Sequence, residues 1–327
     1  MLAHIGTCLD PALNLALEEQ LCLSLPEGHP GWFLLWQNGP SVIVGRHQCT
    51  MDEVNMPFVT ARNIPVVRRM TGGGAVYHDT GNLNFSLISH AGAITDGGRL
   101  DFGRFLGPVV AALARLGVDA RLSGRNDLEV DGRKISGSGQ RVWRGRVLHH
   151  GTLLVRADVD TMMAVLTPDE AKIRAKGVAS VRSRVTNIAD HWRRGTTLDD
   201  LRRELVAACA DGQGTPSAED MAAATALAET KYRRWDWNFG ASPPYTEERK
   251  QRFPWGTVRV RLDVARGVVR HCRIEGDFFA TGDVATLETR LTGCSREPQA
   301  MKQVLAGIRW HEWFSGYNGE DVAALFV

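Results

Sequence analysis

The chain has 327 residues, of which 43% are hydrophobic and 23% charged, and its formal net charge is +2. That length suffices for a substantial core and for two domains, or one with an appendage. The near-neutral balance gives no field that argues for nucleic acid. Six scattered cysteines without a Cys-x-x-Cys pair speak against a disulfide framework or a structural zinc site. No apolar stretch approaches membrane-spanning length, and Met1-Leu2-Ala3-His4-Ile5 lacks the charged and apolar regions of a signal peptide. The expectation is a cytoplasmic protein with free thiols and neither a membrane nor a nucleic-acid partner.

Asp10-Pro11 reads as an N-cap followed by proline at the first helical position, and residues 12–25 carry apolar side chains at helical spacing. Residues 31–37, short and aromatic, read as a buried strand, and 41–45 as a second. Trp36 suits either plain core packing or the wall of an apolar ligand slot. Thr50 with Glu53 fits a capping box on a short helix. Residues 65–69 then lead as a strand into Thr71-Gly72-Gly73-Gly74, and 75–78 and 82–88 follow as strands. Three consecutive glycines leave backbone amides open to a ligand, and successive amides can cradle an anion. Arg68 and Arg69, just before them, offer donor forks for a carboxylate or phosphate. The plainer alternative is a hairpin turn with solvated arginines.

An amphipathic helix is expected over 101–116 and a strand from 119. Asp131-Gly132 between two strand-like runs is a strong hairpin signal, and Gly145-Arg146 suggests another before a strand over 147–155. Short helices are expected at 158–166, 197–209 and 217–229. Residues 172–187 hold five basic side chains, either a solvated loop or a mobile basic lid. An aromatic and then proline-rich stretch, 231–245, suggests a boundary near Thr246. Two units follow: a large one, 1–245, and a small sheet-plus-helix unit, 246–327, with strands at 256–264 and 268–275 and helices at 283–291 and 297–307. Antiparallel strand runs with separate helices indicate an α+β fold. Neither a Walker loop nor a dinucleotide fingerprint appears.

Lys134 lies on a tight strand beside Asn126-Asp127 and Ser136-Gly137-Ser138-Gly139. Its point charge suits a cluster of carboxylate and phosphate oxygens, and small neighbours suggest close approach by a ligand. Asp127 can hold magnesium through one direct bond and waters.

Taken together and in order, Arg68 to Asp79, Ser123-Gly124-Arg125-Asn126-Asp127-Leu128, Lys134 to Ser138, His149-His150-Gly151-Thr152-Leu153-Leu154, Lys176 to Asn187 and Trp237-Asn238-Phe239-Gly240 resemble the lipoate–protein ligase family of the biotin/lipoate ligase superfamily. The resemblance implies a large catalytic domain of mixed sheets flanked by helices plus a small C-terminal α+β accessory domain. It implies that lipoate and MgATP form lipoyl-AMP and pyrophosphate. The lipoyl group then passes to a lysine of apo lipoyl domains, those of 2-oxo acid dehydrogenase acyltransferase subunits and the glycine cleavage H protein, and a monomer can do this work. By family motif, Lys134 contacts the lipoate carbonyl and phosphate oxygens, and Ser136 belongs to the same binding motif. Arg69, Thr71, Gly73 and Gly74 lie along the lipoyl-adenylate, and Val76, Tyr77 and His78 near the adenine. Asn126 and Asp127 face the phosphate and metal region, while Arg141, His150, Ser180, Val181 and Arg182 belong to the nucleotide site and its cover. Trp36, Val44 and Gly45 are candidates for the slot that takes the dithiolane tail. The C-terminal domain is expected to swing after adenylation on the linker at Ser242-Pro243-Pro244.

Three alternatives share the scaffold. A lipoyl or octanoyl transferase would use a preformed acyl donor, and the octanoyl transferases need a cysteine nucleophile late in the catalytic domain; none lies between Cys49 and Cys209. A biotin ligase has a different glycine–arginine loop. A non-catalytic regulator would not require Lys134.

Overall fold

The computed structural model describes residues 1–91, 101–124, 126–166, 184–239 and 245–327. In chain order its strands are β1 (Leu2–Ile5), β2 (Trp32–Trp36), β3 (Ser41–Val44), β4 (Val66–Arg68), β5 (Val76–His78), β6 (Asn82–His90), β7 (Arg121–Ser123), β8 (Asp127–Val130), β9 (Arg133–Trp143), β10 (Arg146–Leu154), β11 (Gly212–Gln213), β12 (Glu247–Phe253), β13 (Gly256–Ala265) and β14 (Val268–Gly276). They form an eight-stranded mixed sheet ordered β11-β1-β2-β6-β10-β9-β8-β7, a three-stranded sheet β4-β3-β5, and a second three-stranded sheet β12-β13-β14. This is the α+β architecture expected from the sequence.

The central strands of the large sheet are buried on both faces. One face packs on helices Phe102–Arg115 and Leu198–Cys209 through Phe85, Leu106, Val109, Leu153 and Leu201. The other packs on helix Pro11–Ser24 through Leu15, Leu21, Trp36 and Leu148. Asp10 caps that helix, accepting from Ala12 N at 2.9 Å, as its sequence predicts. The Asp131-Gly132 hairpin is also present, with both residues at positive φ (51° and 72°), the geometry a two-residue turn needs.

Four readings need correction. β4 and β5 do not form a hairpin around the glycines, because β3 lies between them. Thr50 does not cap helix Thr50–Glu53; Cys49 holds that position without a side-chain bond, and the Thr50 hydroxyl donates to Asn238 O at 2.5 Å instead. The edge strand β12 was hidden because Glu247–Phe253 is almost wholly charged and exposed, with no alternation to read. β1 and β11 were missed for want of length, four and two residues.

The C-terminal sheet carries its own core, built on Phe253, Trp255, Phe278, Phe314 and the helices Val284–Leu291 and Pro298–Ala306. It touches the large unit through the turn after β14. Gly276 N donates to His47 O (2.8 Å), the Phe278 ring stacks on His47 at 4.9 Å, and Phe279 inserts into the core of the large sheet beside Phe102. Asp52 pairs with Arg259 and Arg261 beside these contacts.

Candidate functional site

A pocket of about 600 Å³, measured out to its mouth, opens between helix Pro11–Ser24, the glycine loop and the pocket-side face of β6, β10 and β9. Leu15, Trp36, Ile43, Ala75 and Val76 give it an apolar wall. Arg69, His78, Asn84, Asn126, Lys134, His150 and Thr152 supply polar groups. A half-enclosed slot with an apolar wall and a few convergent polar groups is what a small ligand needs.

The loop wall is built by two buried arginines, 6% and 7% exposed. Arg68 donates to the carbonyls of Gly45, Arg46, Gln48, Trp237 and Asn238 and to Thr50 Oγ1. It is a strut rather than a ligand fork. The Trp237-Asn238 motif completes the joint: Asn238 Oδ1 accepts from Arg68 N (2.9 Å) and Trp237 Nε1 donates to Arg68 O (2.9 Å). Arg69 donates to Ile43 O, Gly72 O, Gly74 O and Thr71 Oγ1 and so holds the loop in shape. Burial lowers its pKa to about 10, which still leaves it charged at neutral pH.

Close packing explains two of the glycines. A Cβ on Gly72 would fall 2.2 Å from Phe278 O, and Gly73 has φ 94° and its N–H on Phe278 O at 3.4 Å. Only at Gly74 would a Cβ meet open space. The C-terminal unit therefore leans on the loop, and the Gly73 amide is turned to Phe278 O rather than to a ligand.

The sheet floor follows from strand register. Trp36, Asn84, Thr152 and Gly137 face one another across β2, β6, β10 and β9, and Ser86, His150 and Gly139 form the next row. Lys134 Nζ extends over Gly137, where a Cβ would stand 3.0 Å away, so the glycine makes room for the ammonium. Lys134 pairs with Asp127 Oδ1 at 2.8 Å. Its backbone is zipped to the segment after residue 183, with Lys134 N on Arg184 O (2.6 Å) and Thr186 N on Lys134 O (3.0 Å). Asn126 Nδ2 donates to Ser138 O (2.6 Å), fixing the turn before β8.

Beneath the loop lies a buried relay. Glu18, 1% exposed, accepts from Ser86 Oγ (2.5 Å) and holds His150 Nδ1 at 2.9 Å. His150 Nε2 meets Thr71 Oγ1 at 2.6 Å, and Trp36 Nε1 donates to Ser86 Oγ at 2.8 Å. His78 is 3% exposed, and burial together with Arg69 and His150 pushes it down to about 3, so it is neutral. Asn38 Nδ2 lies 3.0 Å from His78 Nδ1, and the Asn38 oxygen already accepts from Asn14. The His78 proton is therefore on Nε2, a donor on the pocket wall.

Residues 10–210 match the profile of the lipoyl protein ligase A/B catalytic domain, and 242–326 match the bacterial lipoate protein ligase C-terminus. The chain is 39% identical to lipoate–protein ligase 1 of Staphylococcus aureus over 97% of its own length and 96% of that protein.

The chain belongs to the lipoate–protein ligase family.

Two solved structures agree. One is a bipartite lipoate protein ligase of Thermoplasma acidophilum with its E2 lipoyl domain, 30% identical, covering 76% of this chain and all of that one, TM-score 0.65. The other is a lipoate–protein ligase A bound with ATP, 28% identical, covering 73% of this chain and 97% of that one, TM-score 0.61.

In this family member the structure gathers Trp36, Arg69, Gly73, Gly74, Val76, His78, Asn126, Lys134 and His150 around one pocket, with Thr71 held on His150 and Asp127 on Lys134. Others stand elsewhere. Val44 and Tyr77 point into the core on the far side of the small sheet, because side chains alternate along a strand and Ile43 takes the pocket side. Gly45 packs against Gly73 O, where a Cβ would be only 1.9 Å away, and does not line the slot. Ser136 is opposite Leu153 on the other face of the sheet. Arg141 lies beyond the pocket, its guanidinium over Trp143 and donating to Met70 O at 3.3 Å. Ser180, Val181, Arg182 and most of the basic lid fall outside the described residues.

Sequence reading missed Glu18, Ile43 and Asn84. Glu18 carried a signal: it lies three and four residues after Leu15 and Asn14, on the buried stripe of its helix. Asn84 carried none, since its role depends on register across three strands.

Proposed function

We propose that the protein condenses lipoate with ATP to lipoyl-AMP and pyrophosphate in this pocket and passes the lipoyl group to a lysine of an apo lipoyl domain. The observation that carries this reading is Lys134 set over Gly137 at the junction of an apolar slot and a polar mouth. Leu15, Trp36 and Ile43 suit the dithiolane tail, and the ammonium suits the acyl and phosphate oxygens where charge develops. Arg69 and Thr71 set the loop, and His78 faces the adenylate. Arg141, Ser180, Val181 and Arg182 are assigned to closing the nucleotide side. We divide the chain at 245/246.

Magnesium fits the one-carboxylate mode that phosphate substrates favour. Asp127 is 31% exposed beside Lys134, and no cluster of three or more His, Cys, Asp or Glu occurs among the described residues. Bound there, the ion would neutralise charge on the leaving pyrophosphate.

An acyl-adenylate hydrolyses in water, so the site must stay dry until transfer. The contact of Phe278 with Gly72 and Gly73 suits a C-terminal unit that covers the loop in one half-reaction and leaves it in the other. Different small-angle scattering of the free and lipoyl-AMP-bound protein is the expected result; identical curves contradict the movement. The acceptors are lipoyl domains of 2-oxo acid dehydrogenase acyltransferase subunits and the glycine cleavage H protein. The enzyme works as a cytoplasmic monomer. No helix among the described residues is long and apolar enough to cross a membrane.

Intact mass spectrometry of an apo lipoyl domain with lipoate and MgATP tests the reading. A lipoyl increment that needs ATP and disappears in Lys134→Ala is expected. Modification from synthetic lipoyl-AMP but never from lipoate and ATP would favour the transferase.

A further inference from the structure

The pocket-side face of β6 carries three polar residues in a row, Asn82, Asn84 and Ser86. Ser86 is engaged, linking Trp36 to Glu18, and Asn82 is engaged on one side: its Nδ2 donates to Tyr77 O at 3.3 Å, while its Oδ1 has no partner among the described residues. Asn84 differs. It is 1% exposed, and among the described residues neither its Nδ2 nor its Oδ1 has a hydrogen-bond partner. A buried carboxamide left this way costs about 1–3 kcal/mol per unpaired group. Native proteins tolerate such groups chiefly where a ligand or an ordered water completes them.

Its position says which part of a ligand it meets. Asn84 lines the pocket, with Trp36 opposite it on β2 and Thr152 opposite it on β10. Thr152 in turn faces Gly137, over which Lys134 extends. Asn84 thus stands at the changeover from apolar slot to cationic mouth. An acid whose tail lies against Trp36 brings its first oxygen to this row. A methylene there would leave the carboxamide unpaired, whereas a carboxyl or ester oxygen would take its N–H.

We propose that Asn84 is a substrate-contacting residue whose Nδ2 donates to the acyl oxygen of the acid, before and after adenylation. This rests on the reading of the pocket as a lipoate site. The amide does not titrate, so the contact holds at any working pH. It adds a neutral donor on the acyl oxygen beside the Lys134 ammonium, which also serves the phosphate oxygens.

Calorimetric titration of the full-length protein with two probes tests this. One probe is lipoate; the other is 3-butyl-1,2-dithiolane, the same ring and chain without the carboxyl group. Asn84→Ala is expected to weaken lipoate about ten- to a hundredfold and to change the carboxyl-free probe less than about twofold. Asn84→Leu, which replaces the unpaired amide by an apolar group of similar size, is expected to raise the melting temperature of the ligand-free protein while weakening lipoate as much. Equal weakening of both probes would mean that Asn84 only shapes the pocket, and unchanged lipoate affinity would mean that it touches no oxygen. Either overturns the proposal while leaving the ligase reading intact. Wild-type protein that binds neither probe would overturn that reading, and the proposal with it.

Discussion

The two ends of the pocket are built on opposite principles. At the loop end, Arg68 and Arg69 are buried and their donors are spent on backbone carbonyls of residues 43–48, 72–74 and 237–238. At the floor, Asn84 is buried with nothing to bond among the described residues, as is His78 Nε2 on the adjoining wall, and Lys134 is 37% exposed. The first end is a scaffold completed on folding. The second is incomplete until a ligand arrives. Residue type alone would rank them the other way, since arginine is the usual anion receptor.

Substitutions at the two ends should therefore separate binding from stability. The largest effect is expected at Lys134. Lys134→Ala should slow lipoyl-AMP formation by about a hundredfold or more, the scale for losing one group that stabilises developing charge. Its unfolding midpoint in urea should stay close to wild type, because the side chain is part-exposed and its single ion pair is worth little. A mutant that unfolds early instead would make Lys134 part of the scaffold.

Arg68→Lys should do the reverse. A lysine cannot span the carbonyls that the guanidinium bridges, so buried acceptors lose donors, and a cost of about 2–4 kcal/mol is expected in urea unfolding. Lipoate affinity measured where the variant is fully folded should be unchanged. Weakened lipoate binding with full stability would reverse the assignment.

The buried histidines predict a pH dependence of stability. Burial holds both His78 and His149 down to about 3. The unfolded chain binds their protons below about 6.5, while the folded chain does not until about 3. Stability is therefore complete above pH 6.5 and falls as pH drops towards 3, by up to about 1.4 kcal/mol per pH unit for each ring. His149 lies among Phe85, Phe102 and Phe105, 4.8 Å from the last in a stacked pair. His149→Phe should flatten the slope between pH 6.5 and 5 in urea titrations, and an unchanged slope would show that His149 is already protonated when folded.

The smallest effect is expected at the contact between the two units. Asp52→Ala removes one partner of Arg259 and Arg261, which keep Glu248 and Glu275, at a part-exposed site, so about 1 kcal/mol or less is expected in thermal unfolding. Its clearer readout is scattering, where the ligand-free variant should expand towards the lipoyl-AMP-bound form. No expansion would mean that the contacts around Gly276, Phe278 and Phe279 hold the unit in place without Asp52.

Most of the fold was legible because local signals sufficed. Asp10-Pro11 started a helix, Asp131-Gly132 turned a hairpin, and aromatic or β-branched runs marked the buried strands. Short or charged strands such as Glu247–Phe253 were illegible, since tertiary pairing rather than pattern makes them strands. In the site, the motif located Lys134 and the glycines, yet it could not tell Ile43 from Val44 or Gly137 from Ser136. That distinction is a matter of pleat, and a one-residue difference moves a side chain to the other face. Nor could it show that Arg68 serves Trp237 and Asn238, 169 and 170 residues away.

Lipoyl-AMP formed in a single turnover without acceptor is the most direct measurement, made by chromatography of quenched wild type, Arg68→Lys and Lys134→Ala with lipoate and MgATP. Stoichiometric lipoyl-AMP and pyrophosphate are expected from the first two, under conditions where both are folded, and next to none from Lys134→Ala. Lipoyl-AMP at the wild-type rate from Lys134→Ala, or none from the wild type, would contradict the account.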